Sequence, residues 1–192
     1  MKKGGISGSA LGGRRALEEQ FFHERDRELL QALREKTAAK ERKQALAEAS
    51  GITDEDLLGQ LDKLNLGPET LAALSLVPLI AVAWADGKMD AKERQAVLAA
   101  AEQKDIQADH PGHQLLEGWL QRPPDKKLLK VWKDYVAALG ETLSESARSA
   151  LKQDLLGRAR AVAEAAGGML GLGSKVSKSE QAVLAELEEA LG

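Results

Sequence analysis

The chain contains no cysteine in 192 residues. Disulfide cross-links, thiolate zinc sites and cysteine nucleophiles are therefore excluded at the outset. Aromatic residues are nearly as scarce and can all be named: Phe21, Phe22, Trp84, Trp119, Trp132 and Tyr135. A core so short of rings has to be filled with Leu, Ala, Val and Ile, which suits helices better than a β-sandwich. No segment sustains an alternation of β-branched residues, so no sheet is expected. Long apolar runs are missing too: the most apolar stretch, Leu71 to Ala85, is too short to span a bilayer and ends at Asp86. Lys2 and Lys3 lead into the polar, glycine-rich stretch Gly4 to Gly13, which lacks the apolar centre of a secretory signal. The expectation is a cytoplasmic protein with at most peripheral membrane association.

Catalytic signatures are absent as well. No Gly-x-Ser-x-Gly elbow, Walker loop or His-Glu-x-x-His stretch occurs. His110 and His113 stand with Asp109, but Pro111 and Gly112 between them indicate a loop leading to a helix at Gln114–Leu120. Gly167-Gly-Met-Leu-Gly-Leu-Gly173 superficially matches a dinucleotide loop, yet it follows a helix rather than a strand and reads as a connector. A non-enzymatic protein is expected.

Charge is present in both signs: 27 basic and 30 acidic residues leave a net −3, with no bulk attraction for nucleic acid. It is unevenly shared. Residues 1–50 hold 11 basic and 8 acidic side chains, and residues 51–192 the remaining 16 and 22, a basic-leaning arm on an acidic body. The arm starts as a flexible glycine-rich tail, residues 1–13, followed by strong helix formers over 14–50. Phe22, Leu29, Leu30 and Leu33 fall near one face of this helix, with Leu17 and Phe21 beside it. From Arg34 to Gln44 the sequence is polar all round apart from Ala38 and Ala39, the pattern of a solvated helix.

The body, residues 51–192, reads as all-α. Helices are expected from Thr53 to Leu64, from Pro68 at a first-turn position to Trp84, and from Asp90 to Lys104. Lys126–Leu139 carries Leu129, Trp132, Val136 and Leu139 on an amphipathic face. Ser144 opens a long helix through Ala166, and Ser177 opens the last.

One turn stands out chemically. Trp84-Ala-Asp-Gly-Lys-Met-Asp-Ala-Lys-Glu93 joins two helices, with Gly87 able to take the positive φ of a tight turn. Asp90 and Glu93 have capping-box spacing. Asp86, Asp90 and Glu93 also cluster hard oxygen ligands of the kind Ca²⁺ or Mg²⁺ takes, without the carboxylate spacing of an EF-hand. A capping box with an ordinary Asp turn accounts for the same residues without an ion. Lys175-Val-Ser-Lys-Ser-Glu180 repeats the pattern, and both copies run on into Gln-Ala-Val-Leu, a weak internal duplication with acidic turn residues in the first copy only.

The Val-Ala-Trp-Ala-Asp-Gly-x5-Glu pattern of residues 82–93 resembles the TerB-like (tellurite-resistance) family, which also includes the N-terminal domain of a membrane-associated co-chaperone. The resemblance extends over about residues 68–191. It implies an all-helical domain of two similar halves, each with an acidic turn, and an association with divalent-metal binding and stress response. Asp86 and Glu93 carry across, with Asp90 as a neighbour. In the second half only Glu180 persists, the acidic turn being replaced by Gly171-Leu-Gly-Ser174.

The arm has a resemblance of its own. Its glycine-rich basic tail, then Glu18-Glu19-Gln-Phe21-Phe22, then Arg27-Glu28-Leu-Leu30-Gln-Ala-Leu33, is similar to the ATPase inhibitor protein of mitochondrial ATP synthase over about residues 8–36. That likeness implies a partner, the F1 sector, bound through Glu18, Glu19, Phe21, Phe22, Arg27, Glu28, Leu30 and Leu33, with ATP hydrolysis blocked. The alternative for the same helix is a scaffold or adaptor that binds another protein or a second copy of the chain without metal.

Overall fold

The computed structural model describes residues 8–166 and 176–192, with side chains from residue 27 onward except in 166–175. Among the described residues the fold is all-α, with no strand: α1 (Gly8–Ser50), α2 (Glu55–Lys63), a 3-10 segment (Pro68–Leu76), α3 (Val77–Ala83), α4 (Ala91–Glu102), α5 (Pro111–Gln121), α6 (Lys127–Thr142), α7 (Glu145–Ala166) and α8 (Lys178–Ala190).

The chain divides into two units, Met1–Glu41 and Arg42–Gly192. α1 begins at Gly8, inside the glycine-rich stretch rather than after it. In the first unit Leu29, Leu30 and Leu33 are more than half exposed, at 56%, 54% and 59%. The last turns of α1 belong to the second unit, where Leu46 is buried in the core. Arg42 Nε donates to Asp62 Oδ1 at 2.7 Å there, and Lys43 Nζ lies 3.0 Å from where a Cβ on Gly59 would sit, so the lysine side chain rests against α2 at that glycine.

α3 is the axis of the second unit. Val77, Pro78, Leu79, Ile80, Val82 and Ala83 are all buried, the signature of a helix enclosed on every side. It packs against α4, α6, α7 and α8. The single helix expected from Pro68 to Trp84 is instead a 3-10 segment followed by α3. Pro78 supplies the reason: it has no N–H to give to the Leu74 carbonyl, and its ring would crowd that carbonyl in a continuous α-helix.

Two turns are built alike. After α2, Asn65 takes φ 58° and the Leu66 N–H bonds back to Leu61 O at 3.0 Å. After α4, Asp105 takes φ 57° and the Ile106 N–H bonds to Ala101 O at 3.0 Å. Both are Schellman endings, each followed by a residue driven into the core, Leu66 and Ile106 at 1% and 0% exposure.

The 109–113 loop is also shorter than its Pro-Gly content suggests. Pro111 is the first residue of α5, and His110 is its N-cap, with Nδ1 accepting from the Gly112 N–H at 2.9 Å. Proline fits there because the first N–H of a helix has no intrahelical partner to lose. On α6 the fully buried face is Leu128, Val131, Trp132 and Val136, while Leu129 packs partly buried at its edge, so the face is turned slightly from the one the 3–4 spacing suggests.

Candidate functional site

The turn between α3 and α4 is assembled from its own side chains. The Trp84 N–H closes α3 onto Ile80 O, and the Gly87 N–H returns to Trp84 O at 2.9 Å. Gly87 sits at φ 84°, a conformation that costs an L side chain about 1–2 kcal/mol. Asp86 Oδ1 accepts from the Lys88 N–H at 2.9 Å. Asp90 Oδ1 accepts from the N–H groups of Lys92 and Glu93 at 2.7 and 2.9 Å, and Glu93 Oε2 accepts from the Asp90 N–H at 2.8 Å. The capping box is therefore complete.

Outside the turn, the Trp84 indole donates to Trp119 O at 2.8 Å and Arg94 Nη1 to Leu120 O at 3.2 Å. These two carbonyls lie in the last turn of α5, where helix oxygens lack intrahelical partners. The turn is thus tied to α5 by a neutral and a cationic donor.

At the start of α8 the same device recurs. The Glu180 N–H donates to Ser177 Oγ at 3.2 Å, and Glu180 Oε2 accepts from the Ser177 N–H. Both box glutamates are buried, each at 6% exposure. The packing of α3 and α4 on α7, and of α3 on α8, brings them within electrostatic reach of each other. Burial pushes the Glu93 carboxyl up to about 7; the hydrogen bond from Asp90 opposes this, and the charges of Asp90, Glu180 and Asp86 add to it. At neutral pH, Glu93 is a buried group divided between its two protonation states.

The sequence singles out Asp86, Asp90 and Glu93, and the structure places all three on this turn. They do not close into a cage: among the described residues no three His, Cys, Asp or Glu side chains stand together as a metal-holding group. A further buried carboxylate near this turn is Glu180, signalled in the sequence by the Ser177-x-x-Glu180 spacing that repeats Asp90-x-x-Glu93. The second turn, Gly171 to Ser174, and the Gly167–Gly173 connector lie outside the described residues.

Of the partner-binding residues, Arg27, Glu28, Leu30 and Leu33 are exposed on α1. Glu18, Glu19, Phe21 and Phe22 are on the same helix, with side chains outside the described residues. No single described helix is long and apolar enough to cross a membrane. No family model matches the chain, and neither a curated protein nor a solved structure does.

Proposed function

We propose that this is a non-enzymatic regulatory protein in which α1 presents a protein-binding element and the helical body responds to its ionic surroundings. The observation that carries the reading is the run of Leu29, Leu30 and Leu33, each more than half exposed on one helix. Three large apolar side chains so close together in water favour a partner that removes them from it, at about 25 cal/mol per Å² of apolar surface buried. The partner proposed is the F1 sector of a rotary ATP synthase, and the consequence of binding is inhibition of ATP hydrolysis in a stress response within the cytoplasm.

The test is hydrolysis by F1 from the source organism with added full-length protein. Inhibition by the wild-type chain and at least tenfold weaker inhibition by Leu29→Ala/Leu33→Ala are expected. Undiminished hydrolysis with the wild-type chain refutes the partner. Recovery of a different protein by wild type but not by the double variant makes the chain an adaptor instead.

The ionic part of the proposal rests on Glu93 and Glu180. Two buried carboxyl groups within reach of each other repel when both ionise, and a divalent cation such as Ca²⁺ or Mg²⁺ would relieve that repulsion. Asp86 and Asp90, whose charges also reach Glu93, retain unoccupied lone pairs. Calorimetric titration with either ion should give heat with wild type and less with Asp86→Ala or Glu180→Gln. No heat from wild type would sink this half of the reading and leave the other standing.

A further inference from the structure

An open groove of about 350 Å³ runs between the 3-10 segment, α6 and α7. Its walls are predominantly apolar, with Leu71, Leu74, Trp132, Leu139 and Leu155 among them. A few polar groups reach it: Lys104, Ser75 and Tyr135. This is the usual make-up of a small-molecule site, an apolar trough in the range of several hundred Å³ with a few polar groups to fix orientation. The groove lies wholly within the second unit and shares no lining residue with the acidic turn.

Lys104 identifies the polar end of the ligand. Its ammonium donates to Asp154 Oδ2 at 2.9 Å, and the other oxygen of Asp154 accepts from Arg158 Nε at 2.7 Å. Asp154 therefore keeps a cationic partner if Lys104 turns into the groove. Burial pushes the Asp154 carboxyl up, but the hydrogen bonds and charges of Lys104 and Arg158 outweigh it and hold the carboxyl below its ordinary value. Ser75 spends its hydroxyl proton on Ala72 O at 2.7 Å, and burial pushes the Tyr135 phenol up, keeping it neutral. The lysine is left as the one charged group lining the groove.

The 3-10 segment is nine residues long, well beyond the three or four at which such helices usually stop. It carries Leu71 and Leu74 into the groove wall.

We propose that this groove binds a free monocarboxylate with an unbranched apolar tail, the tail lying along the partly exposed Leu71, Leu139 and Leu151 and the carboxylate accepting from Lys104 Nζ. The charge of Lys104 against a single negative head, and the apolar walls against a hydrocarbon chain, favour this ligand over a neutral oil or a multiply charged anion.

The experiment is calorimetric titration of the full chain with sodium decanoate below its micelle concentration. One site per chain is expected, with octanoate weaker by about fourfold for each methylene removed. Lys104→Met should weaken decanoate about two- to fivefold, Lys104→Arg should restore most of it, and 1-decanol should bind Lys104→Met and wild type alike. Ala72→Phe, at an exposed position on the groove wall, should abolish binding without disturbing the core. Leu139→Trp provides a second obstruction from the α6 side, and circular dichroism confirms that each variant is folded. Three outcomes would overturn the proposal: no heat with decanoate, equal binding by the folded Ala72→Phe variant, or capture by anionic phospholipid vesicles without uptake of free decanoate.

Discussion

Glu93 shows how much one side chain can change when its surroundings do. In the linear chain it is an ordinary capping glutamate; in the fold it is buried near Glu180, with its carboxyl pushed up to about 7. A group whose folded pKa lies above its unfolded value contributes stability at low pH and loses it as pH rises through the folded value. Stability attributable to Glu93 is therefore expected to be fully present below about pH 4.5 and lost as the pH passes about 7. Glu93→Gln keeps an acceptor for the Asp90 N–H and removes the titration. Thermal unfolding should show the two proteins alike near pH 4.5, with the variant more stable above pH 7. A gap that does not change with pH would contradict the account. A second residue-scale expectation concerns Asp105, whose φ of 57° is strained for a residue with a Cβ. Asp105→Gly should raise stability by about 0.5–1 kcal/mol in denaturant unfolding, since the relief of αL strain exceeds the added entropy of the unfolded chain.

Among the elements, α4 and α8 are started by the same device, and α8 shows what it contributes. Ser177→Ala removes the acceptor of the Glu180 N–H and should cost about 1 kcal/mol, read from urea unfolding. Ser177→Asp should recover most of that loss. The spacing of Asp90 with Glu93 and of Ser177 with Glu180 was legible from the sequence, because a capping box spans only four residues. The break between the 3-10 segment and α3 was less so. Pro68 and Pro78 both lie in that stretch, and apolar periodicity masks the second one, whose effect is to remove one hydrogen bond at Leu74. Pro111 acts in the opposite direction: a proline can end a helix or begin one, and with His110 as N-cap it begins α5.

For the molecule as a whole, the division after Glu41 sets two expectations. Removing residues 1–41 should leave the thermal midpoint of the body within experimental error of the full chain. By contrast Leu46→Ala, at 1% exposure, should lower stability by about 2–5 kcal/mol, the usual cost of emptying a leucine site in a packed core. Equal effects of the two changes would mean that the body does not end where the contacts place it. The exposed leucines at 29, 30 and 33 should behave oppositely to Leu46, their replacement by alanine leaving the midpoint unchanged.

Composition and local pattern were enough to determine the helical class, the positions of most helices and the residues of the acidic turn. Each of these depends on interactions within a turn or two of chain: propensity, 3–4 apolar spacing and the reach of a capping side chain. Only the tertiary structure decided that Glu180 approaches Glu93, that Trp84 and Arg94 close the end of α5, and that Lys104 meets Asp154 beside an apolar groove. Those pairs are separated by 26 to 87 positions in the chain, and what joins them is the packing of α7 and α8 onto α3 and α4 and of α5 onto the 3-10 segment. Such packing depends on the shapes of whole faces, which no short stretch of sequence specifies.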